Sequence, residues 1–461
     1  ILARLDWNIN DMHHLAFRYN FTKNRSWFGP NASSMDGGTR SAYSRLSQYS
    51  MSFANSMYAM DNLVHSFSLD LNSRLSEKLS NQLLATFSKL DDVRFTNSSE
   101  FPFIDILDGT NTTGNYMALG YELFTWNNAV HNTIWNIKDD VTYYLGEHKI
   151  TGGLSFEHQI ADNQYMRNGT GYYRYSSVDD FISGAAPEIV CLTYGYNGES
   201  SPAARVQFNK GGIYAQDDWQ VTDKLKVTYG IRFDGLFFNN SDLMTNQAIY
   251  NLDYSGRHID TGKWPSSNLI ISPRVGFTYD VFGDKTLKVR GGSGLFSGRL
   301  PLVFFTNMPT NGGMVQYQAQ INAASAQKNK YSMNEFAGGL VTDANGKATT
   351  AALYDKLVSL GYPSTVKPED GTIPSSISAV DPDFKMPQVW KTSLAVDYII
   401  PVSFPLSVTV EGIFNKTING VCMSDWSIPS VGGFARFNGV DNRPIFHSRF
   451  STGTKAFILE N

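Results

Sequence analysis

Long apolar runs are missing from this sequence. None reaches the roughly 18 residues that a membrane-spanning helix requires, and this excludes a protein that crosses a membrane with helices. Charge is also scarce, because charged residues make up only 17% of the chain, against about 25% in typical soluble domains. The net charge of -4 and the absence of a basic cluster exclude nucleic acid as a partner.

Cysteines and catalytic motifs are nearly absent as well. The two cysteines, Cys191 and Cys422, are too few for a disulfide framework and lack metal-ligand spacing. The sequence contains no P-loop, no GxSxG motif and no HExxH motif, and its eight histidines are scattered. We therefore expect no enzyme, no catalytic residue, no metal site and no cofactor.

Alternation of apolar and polar residues is the main pattern that the sequence does contain. In the clearest strand the apolar residues share one face: Leu225, Val227, Tyr229, Ile231 and Phe233. Polar residues, including Arg232 and Asp234, take the other face. Six hairpins of this kind follow one another, each with a turn of about two to six residues. A last strand is predicted at residues 455–459, which makes about thirteen strands.

The connections between the hairpins are long and irregular, whereas the turns within them are short. The long connections cover residues 24–61, 90–131, 160–207, 239–269 and 298–387. Such an asymmetry is typical of outer-membrane barrels, which have short periplasmic turns and long outer loops. Several strands also reach about ten residues, the length of a tilted strand across a bilayer, whereas soluble strands average about five or six.

The apolar faces have two alternative environments. A soluble β-sandwich or barrel shows the same alternation, with the apolar face in a packed core. Connection asymmetry, strand length and aromatic residues near the turns, such as Trp219 and Tyr279, together favour a membrane. We therefore predict an all-β fold, an antiparallel transmembrane β-barrel whose five apolar residues at 225–233 face lipid. The charged residues on the polar faces of the strands are predicted to face the lumen or a plug: Glu157, Arg232, Asp234, Arg274, Asp280 and Arg290.

Three segments carry a family resemblance. The segment YAQDDWQVTDKLKVTYGIRFD, residues 214–234, resembles a strand-turn-strand of TonB-dependent outer-membrane receptors. The segments SPRVGFTYDVFGDKTLKVRGGSGLFSGRLP, residues 272–301, and FKMPQVWKTSLAVDY, residues 384–398, resemble the Oar-like branch common in Bacteroidetes. This branch is related to the SusC/RagA receptors, and the resemblance covers nearly the whole chain.

The resemblance implies a barrel of about 22 strands that is closed by an N-terminal plug. It makes residues 1–461 a barrel domain that is incomplete at both ends, without the plug or an N-terminal regulatory-like domain. It also makes residues 298–387 a long extracellular loop. The expected function is nutrient uptake: import of a peptide, glycan or chelate through the plugged barrel, in the outer membrane of a Gram-negative bacterium.

The resemblance also implies partners. These are the TonB-ExbB-ExbD energising complex, which acts through the plug, the lipid of the outer membrane, and a surface lipoprotein. A non-transporting adhesin or structural barrel of the same design is the alternative, and the sequence does not name the substrate. Cys191 and Cys422 both fall toward the outer end, where a disulfide and two unpaired loop cysteines fit the sequence equally.

Overall fold

The computed structural model describes residues 1–31, 45–110, 114–428, 436, 438–445 and 454–461. Its largest element is an antiparallel sheet of twelve strands, which we call the wall, and the order of these strands in space follows their order in the chain. Numbered along the chain, the wall strands are Leu2–Asn8 (β1), His13–Phe28 (β2), Tyr58–Arg74 (β4), Leu79–Phe95 (β5), Ala129–Leu145 (β8), His148–Gln164 (β9), Ala203–Thr222 (β12), Leu225–Phe238 (β13), Asn268–Asp280 (β14), Leu287–Ser297 (β15), Gln388–Ile400 (β18) and Leu406–Asn419 (β19).

Short turns join the wall strands in pairs. The six turns contain between two and six residues and follow β1, β4, β8, β12, β14 and β18. This confirms the six predicted hairpins, whose alternating sequences pair because each presents a matching face to its neighbour. β1 and β19 form the two edges of the sheet, so the described wall is open.

The long connections fold into two further sheets. We call these sheets, together with the helices around them, the cap. The six-stranded sheet consists of Met51–Ser52 (β3), Phe103–Leu107 (β6), Asn115–Leu119 (β7), Tyr172–Tyr175 (β10), Ile189–Gly195 (β11) and Gln316–Ile321 (β16). The three-stranded sheet consists of Ser376–Val380 (β17), Cys422–Asp425 (β20) and Lys455–Glu460 (β21). The expectation of irregular connections is therefore wrong for these segments.

The strand predicted near the end of the chain is present but does not belong to the wall. β21 pairs in parallel with β17 and antiparallel with β20. Ala456, Ile458 and Leu459 are all buried, so both faces of β21 contact protein. The wall accordingly has twelve strands and not thirteen, because a strand with two buried faces packs inside the cap.

Five short α-helices of the described residues lie in the cap. Their bounds are Val178–Ser183 (α1), Gln247–Tyr250 (α2), Val303–Thr310 (α3), Ala323–Lys328 (α4) and Thr350–Ser359 (α5). Four single turns of 3-10 helix accompany them at Ala54–Ser56, Tyr196–Gly198, Met333–Phe336 and Pro368–Asp370. Within the described ranges no helix is both long enough and apolar enough to span a membrane.

A buried apolar cluster joins the cap to the wall. Val206 and Phe208 of β12 and Leu236 of β13 pack in one cluster with Phe305 of α3. The cluster also contains buried cap residues from several connections: Ile249, Tyr254, Trp264, Ile377, Trp426 and Ile458. Burial of one large apolar side chain contributes about 1.5–3 kcal/mol, so this cluster holds the base of the cap on the wall.

A buried ion pair and the hydrogen bonds to it join three of the long connections within the cap. The Arg45 guanidinium donates to both carboxylate oxygens of Asp105, at 2.8 and 2.7 Å, and both side chains are fully buried. Asn115 and Tyr172 each donate a further hydrogen bond to Asp105 at 2.7 Å. These donors compensate a carboxylate that has no access to water.

Buried tyrosines of the cap lead to a prediction for alkaline pH. Burial raises the pKa of Tyr175 from its usual 10.0 to about 12 and also raises the pKa values of Tyr173 and Tyr194. The unfolded chain loses these protons near pH 10.0, whereas the folded cap keeps them. The stability that the neutral phenols contribute is therefore complete below pH 10.0 and is lost as the pH rises through about 12.

The measurement is a titration of phenolate absorbance on the intact protein. We expect a late fraction of the 24 tyrosines to ionise only near or above pH 12, together with opening of the cap. A Tyr175→Phe variant should lose one tyrosine from this late fraction. Ionisation of all the tyrosines in one step near pH 10.0 would contradict the prediction.

Candidate functional site

The wall has one apolar and one polar face, and strand register places the predicted residues on them. The apolar face of β13 carries all five residues that were predicted to face lipid: Leu225, Val227, Tyr229, Ile231 and Phe233. Tyr229 and Ile231 are 46% and 40% exposed, and the residues paired with this face include Trp219, Phe277 and Ile271. In the described residues none of the five belongs to a buried cluster, so this face is not part of a packed core.

The polar face carries a row of side chains that crosses six neighbouring strands. Each member lies directly opposite the next: Arg18, Ser68, Thr86, Asn136, Glu157 and Lys210. Glu157 of β9 is only 4% exposed and accepts a hydrogen bond from Asn136 at 3.3 Å. A carboxylate buried on this face requires further compensation of its charge.

Arg299 supplies that compensation from the connection that follows β15. Its guanidinium forms an ion pair with the carboxylate of Glu157. The segment of residues 298–302, which we call the strap, thereby lies against the polar face, between the end of β15 and the start of α3. A cap segment is thus tied to the wall by a charge on each side.

A cavity of about 460 Å³ remains between the strap and the wall. Apolar side chains from both sides line it, including Ile134, Leu236 and Leu300. Four charged side chains also line it: Glu157, Lys210, Asp234 and Arg299. Its size and mixed lining are those of a small-molecule pocket, for which volumes of about 300–1,000 Å³ are typical.

Arg232 and Asp234, which lie two residues apart on β13, pair with each other. Nε and Nη2 of Arg232 donate to the two carboxylate oxygens of Asp234 at 2.8 and 2.7 Å. Nη2 also donates to Oγ of Ser155 at 2.7 Å, and Nζ of Lys210 lies 3.9 Å from Asp234. Both charges are therefore compensated within the wall, beside the cavity.

Arg290 and Arg274 lie on the polar face farther along the wall. Arg290 Nε lies 2.9 Å from Asp397, and its Nη1 lies 3.7 Å from Glu411, so its charge is paired across β18 and β19. Arg274 lies on β14 directly opposite Gly294 of β15. Neither residue lines the cavity below the strap.

Asp280 ends β14 and holds the turn that follows it. Its two carboxylate oxygens accept hydrogen bonds from the backbone N–H groups of Gly283 and Lys285, both at 2.9 Å. Such bonds from an Asp side chain to nearby backbone stabilise tight turns. The structure thus places Asp280 at the turn end of the wall, away from the cavity.

Cys191 and Cys422 are not joined by a disulfide, which was one of the two alternatives that the sequence left open. Cys191 is buried in β11, opposite Tyr172 and Gln320. Cys422 is exposed in β20, opposite Glu460. A disulfide requires Cα atoms within about 7 Å, whereas these cysteines lie in two separate sheets of the cap.

Lys210 and Arg299 were not among the residues predicted from the sequence to lie at the site. Lys210 has a detectable signal, because the alternation of β12 extends back to it and places it on the same face as Tyr214 and Gln216. Arg299 lies outside every alternating segment. No local pattern indicates that its connection folds back onto β9.

Replacement of Arg299 by alanine is predicted to release the strap. Among the described residues, the change leaves the buried Glu157 with one hydrogen-bond donor, the neutral side chain of Asn136 at 3.3 Å. An under-compensated buried carboxylate costs about 1–3 kcal/mol of stability. We expect backbone hydrogen exchange in residues 298–302 to become about tenfold faster, as measured by mass spectrometry. Lys263→Ala, which removes an ion pair with Asp260 elsewhere in the cap, should leave this exchange unchanged. Equal exchange in the parent and Arg299→Ala proteins would contradict the tether.

Comparison with known proteins gives one family and several solved structures. A family model described as an outer membrane beta barrel domain matches residues 1–419, and this range contains all twelve wall strands. The outer membrane transporter YddB from Escherichia coli is similar in structure, with a TM-score of 0.53 and 11% identity, over 100% of this chain and 42% of YddB. No curated protein matches the sequence.

Two further solved structures are less similar. The siderophore receptor PirA from Acinetobacter baumannii has a TM-score of 0.45 and 13% identity, over 100% of this chain and 47% of PirA. The ferric-catecholate import receptor Fiu from Escherichia coli has a TM-score of 0.45 and 12% identity, over 94% of this chain and 52% of Fiu. The chain spans about half the length of these proteins, and none of the three is described as an enzyme.

The family match and the structure of the wall indicate the same fold class, and the family match indicates the outer membrane as the location. The family model covers the alternating antiparallel strands from β1 to β19, and the likeness to YddB concerns the same fold. The predicted fold class and the predicted location in the outer membrane are confirmed. The chain belongs to the family of outer membrane beta barrel domains.

Proposed function

We propose that this chain forms part of the barrel wall and of the outer surface of a TonB-dependent receptor that imports a nutrient. The observation that carries the proposal is the difference between the two faces of the wall. Ile231 lies on a mainly apolar face, where Asp217 is paired with His148, and such a face suits lipid. The opposite face carries paired charges such as Arg232 and Asp234 and a cavity below the strap, which suit a wet lumen with a solute path.

The open edges of the wall are the reason for proposing a larger barrel. β1 and β19 each have one strand neighbour among the described residues. An unpaired strand edge is unfavourable in lipid, where backbone N–H and C=O groups find no water. We propose that about ten further strands close the wall into a barrel of about 22, that a plug fills it, and that residues 298–387 form the long extracellular loop.

The resemblance of residues 214–234, 272–301 and 384–398 supports the finer assignment. On this proposal the receptor is Oar-like and related to the SusC/RagA receptors. The TonB-ExbB-ExbD complex energises it through the plug, and a surface lipoprotein is a partner at the cap. The nutrient is a peptide, a glycan or a chelate.

The test is uptake by cells that carry the full-length receptor gene. Labelled peptides, glycans and iron chelates are offered to a receptor deletion strain, to the complemented strain and to the complemented strain without TonB. We expect one class to enter only when both the receptor and TonB are present. Uptake that is independent of TonB, or cell adhesion as the only phenotype of the deletion, would favour the adhesin instead.

A further inference from the structure

Two cationic side chains on the polar face converge on one aromatic ring. The guanidinium carbon of Arg274 lies 4.5 Å from the ring centroid of Phe296, and Nζ of Lys391 lies 5.9 Å from the same centroid. Arg274 on β14 and Lys391 on β18 are both register partners of Gly294, on β15 between them. The two cations therefore approach Phe296 from opposite sides of one strand.

Gly294 makes this approach sterically possible. A Cβ atom at this position would lie 2.9 Å from Cγ of Arg274, closer than such contacts normally come. The side chain of Arg274 thus crosses β15 where that strand has no side chain. Any other residue at position 294 would push the guanidinium away from the ring.

The charges of this pair are not compensated by the wall. Among the described residues neither Arg274 nor Lys391 has a carboxylate within 4.0 Å, unlike the paired Arg232 and Arg290. Glu411 lines the same cavity of about 440 Å³, but it lies 3.7 Å from Arg290. Two like charges held against one ring repel each other, and an anion between them would remove this repulsion.

We propose that Arg274 and Lys391 form a binding site for a carboxylate or phosphate group, with Phe296 as its floor. The inference rests on the proposed function, which makes the polar face the lumen. The two basic side chains donate charge-assisted hydrogen bonds to the anion, and Ser393 and Asn415 of the same cavity offer neutral donors. The anion belongs either to a protein segment that fills the barrel or to a free solute.

A binding experiment tests for a free anion. The full-length receptor in detergent is dialysed to equilibrium against radiolabelled inorganic phosphate at low ionic strength, where weak charge interactions are not screened. R274Q and K391Q should each weaken binding about tenfold, because each removes one charge-assisted hydrogen bond. K416Q is the matched control: it removes the same charge from neighbouring β19, on the apolar face opposite Trp390, and should leave binding unchanged.

A cross-linking experiment tests for a carboxylate of the protein itself. A carbodiimide joins an amine to a carboxylate that it touches, so a carboxylate seated on Lys391 becomes linked to it through an amide. Mass spectrometry of the full-length receptor then identifies the linked residue. A link to a segment that fills the barrel, lost in K391Q, supports the site and identifies a protein anion.

The combined outcomes decide the proposal. Phosphate binding that is weakened in R274Q and K391Q but not in K416Q supports a free anion. Absence of both phosphate binding and cross-link, or a link only to Glu411, would overturn the site. That result would leave TonB-dependent uptake in place, whereas uptake without TonB would overturn the proposed function and leave the binding result standing.

Discussion

Replacement of Asp105 by alanine is expected to open the six-stranded sheet of the cap while the wall stays folded. Asp105 accepts at least four hydrogen bonds, from Arg45, Asn115 and Tyr172. Without the carboxylate, the guanidinium of Arg45 stays buried and loses the carboxylate that balances its charge. Loss of one member of a buried ion pair costs about 3–5 kcal/mol, which is a large share of the stability of a sheet with short strands. Hydrogen exchange of β6, β7 and β10 measures the effect.

Two variants separate the ion pair from ordinary hydrogen bonding. Tyr172→Phe removes one hydrogen bond to Asp105 and keeps the ion pair. It should lower the stability of the sheet by only about 1 kcal/mol. Arg45→Met combined with Asp105→Leu removes both buried charges and should regain most of the stability. If backbone hydrogen exchange in β6, β7 and β10 is no faster in the Asp105→Ala protein than in the Tyr172→Phe protein, the ion pair does not hold the three connections together.

Replacement of Ile231 by arginine is expected to lower the yield and the heat stability of the membrane-inserted protein. Ile231 is the seventh residue of β13, and at a strand tilt of about 45° it lies about 15 Å above the turn. This is close to the middle of an apolar band about 25 Å tall. An arginine facing lipid at that depth costs about 2–4 kcal/mol. Heat-dependent gel mobility of the protein in outer-membrane fractions measures the loss.

A matched variant on the other face supplies the control. Gln216 of β12 is exposed on the polar face, opposite Gly230, and therefore lies next to Ile231 in height. Gln216→Arg places the same charge at nearly the same depth, but on the polar face, which is proposed to line the lumen. It should be tolerated within about 0.5 kcal/mol. Equal losses of yield and heat stability in the Ile231→Arg and Gln216→Arg proteins would contradict the assignment of the apolar face to lipid and the polar face to the lumen.

The wall was predictable because its signal is local. A strand has two faces, and successive residues point to opposite ones, so that Ile231 and Arg232 are separated by their positions alone. The turn after β8 consists of Gly146 and Glu147, which agrees with the predicted turn length of about two to six residues. In Gly146, a φ of 56° allows the chain to reverse, which is easiest for glycine.

The cap was not predictable because its signal is not local. β11 is buried on both faces along all seven residues and therefore lacks alternation. Its partner β16 comes from a different long connection, and Val190 pairs with Ile321. β10 pairs in parallel with β6, again across two connections. Alternation on one strand contains no information about such partners.

The cavity below the strap and the cationic site were also not predictable, because alternation does not identify partners from distant segments. Glu157, Arg232 and Arg274 were predicted to lie on the polar face from alternation, but their partners were not. Arg299 reaches Glu157 only because its connection turns back over the wall. The sequence left open whether Cys191 and Cys422 form a disulfide for the same reason, since the sheets that hold them are built from distant segments.

The sequence by itself determined the strands of the wall, their short turns and the side of the wall on which each side chain lies. These features follow from the two-residue period of a strand and from the contrast between lipid and water. Only the tertiary structure decided that the connections fold into a cap, that a strap closes a cavity, and that Arg274 and Lys391 meet at Phe296. Such contacts join positions far apart in the chain, and their free energy depends on which strands and connections become neighbours in the folded protein.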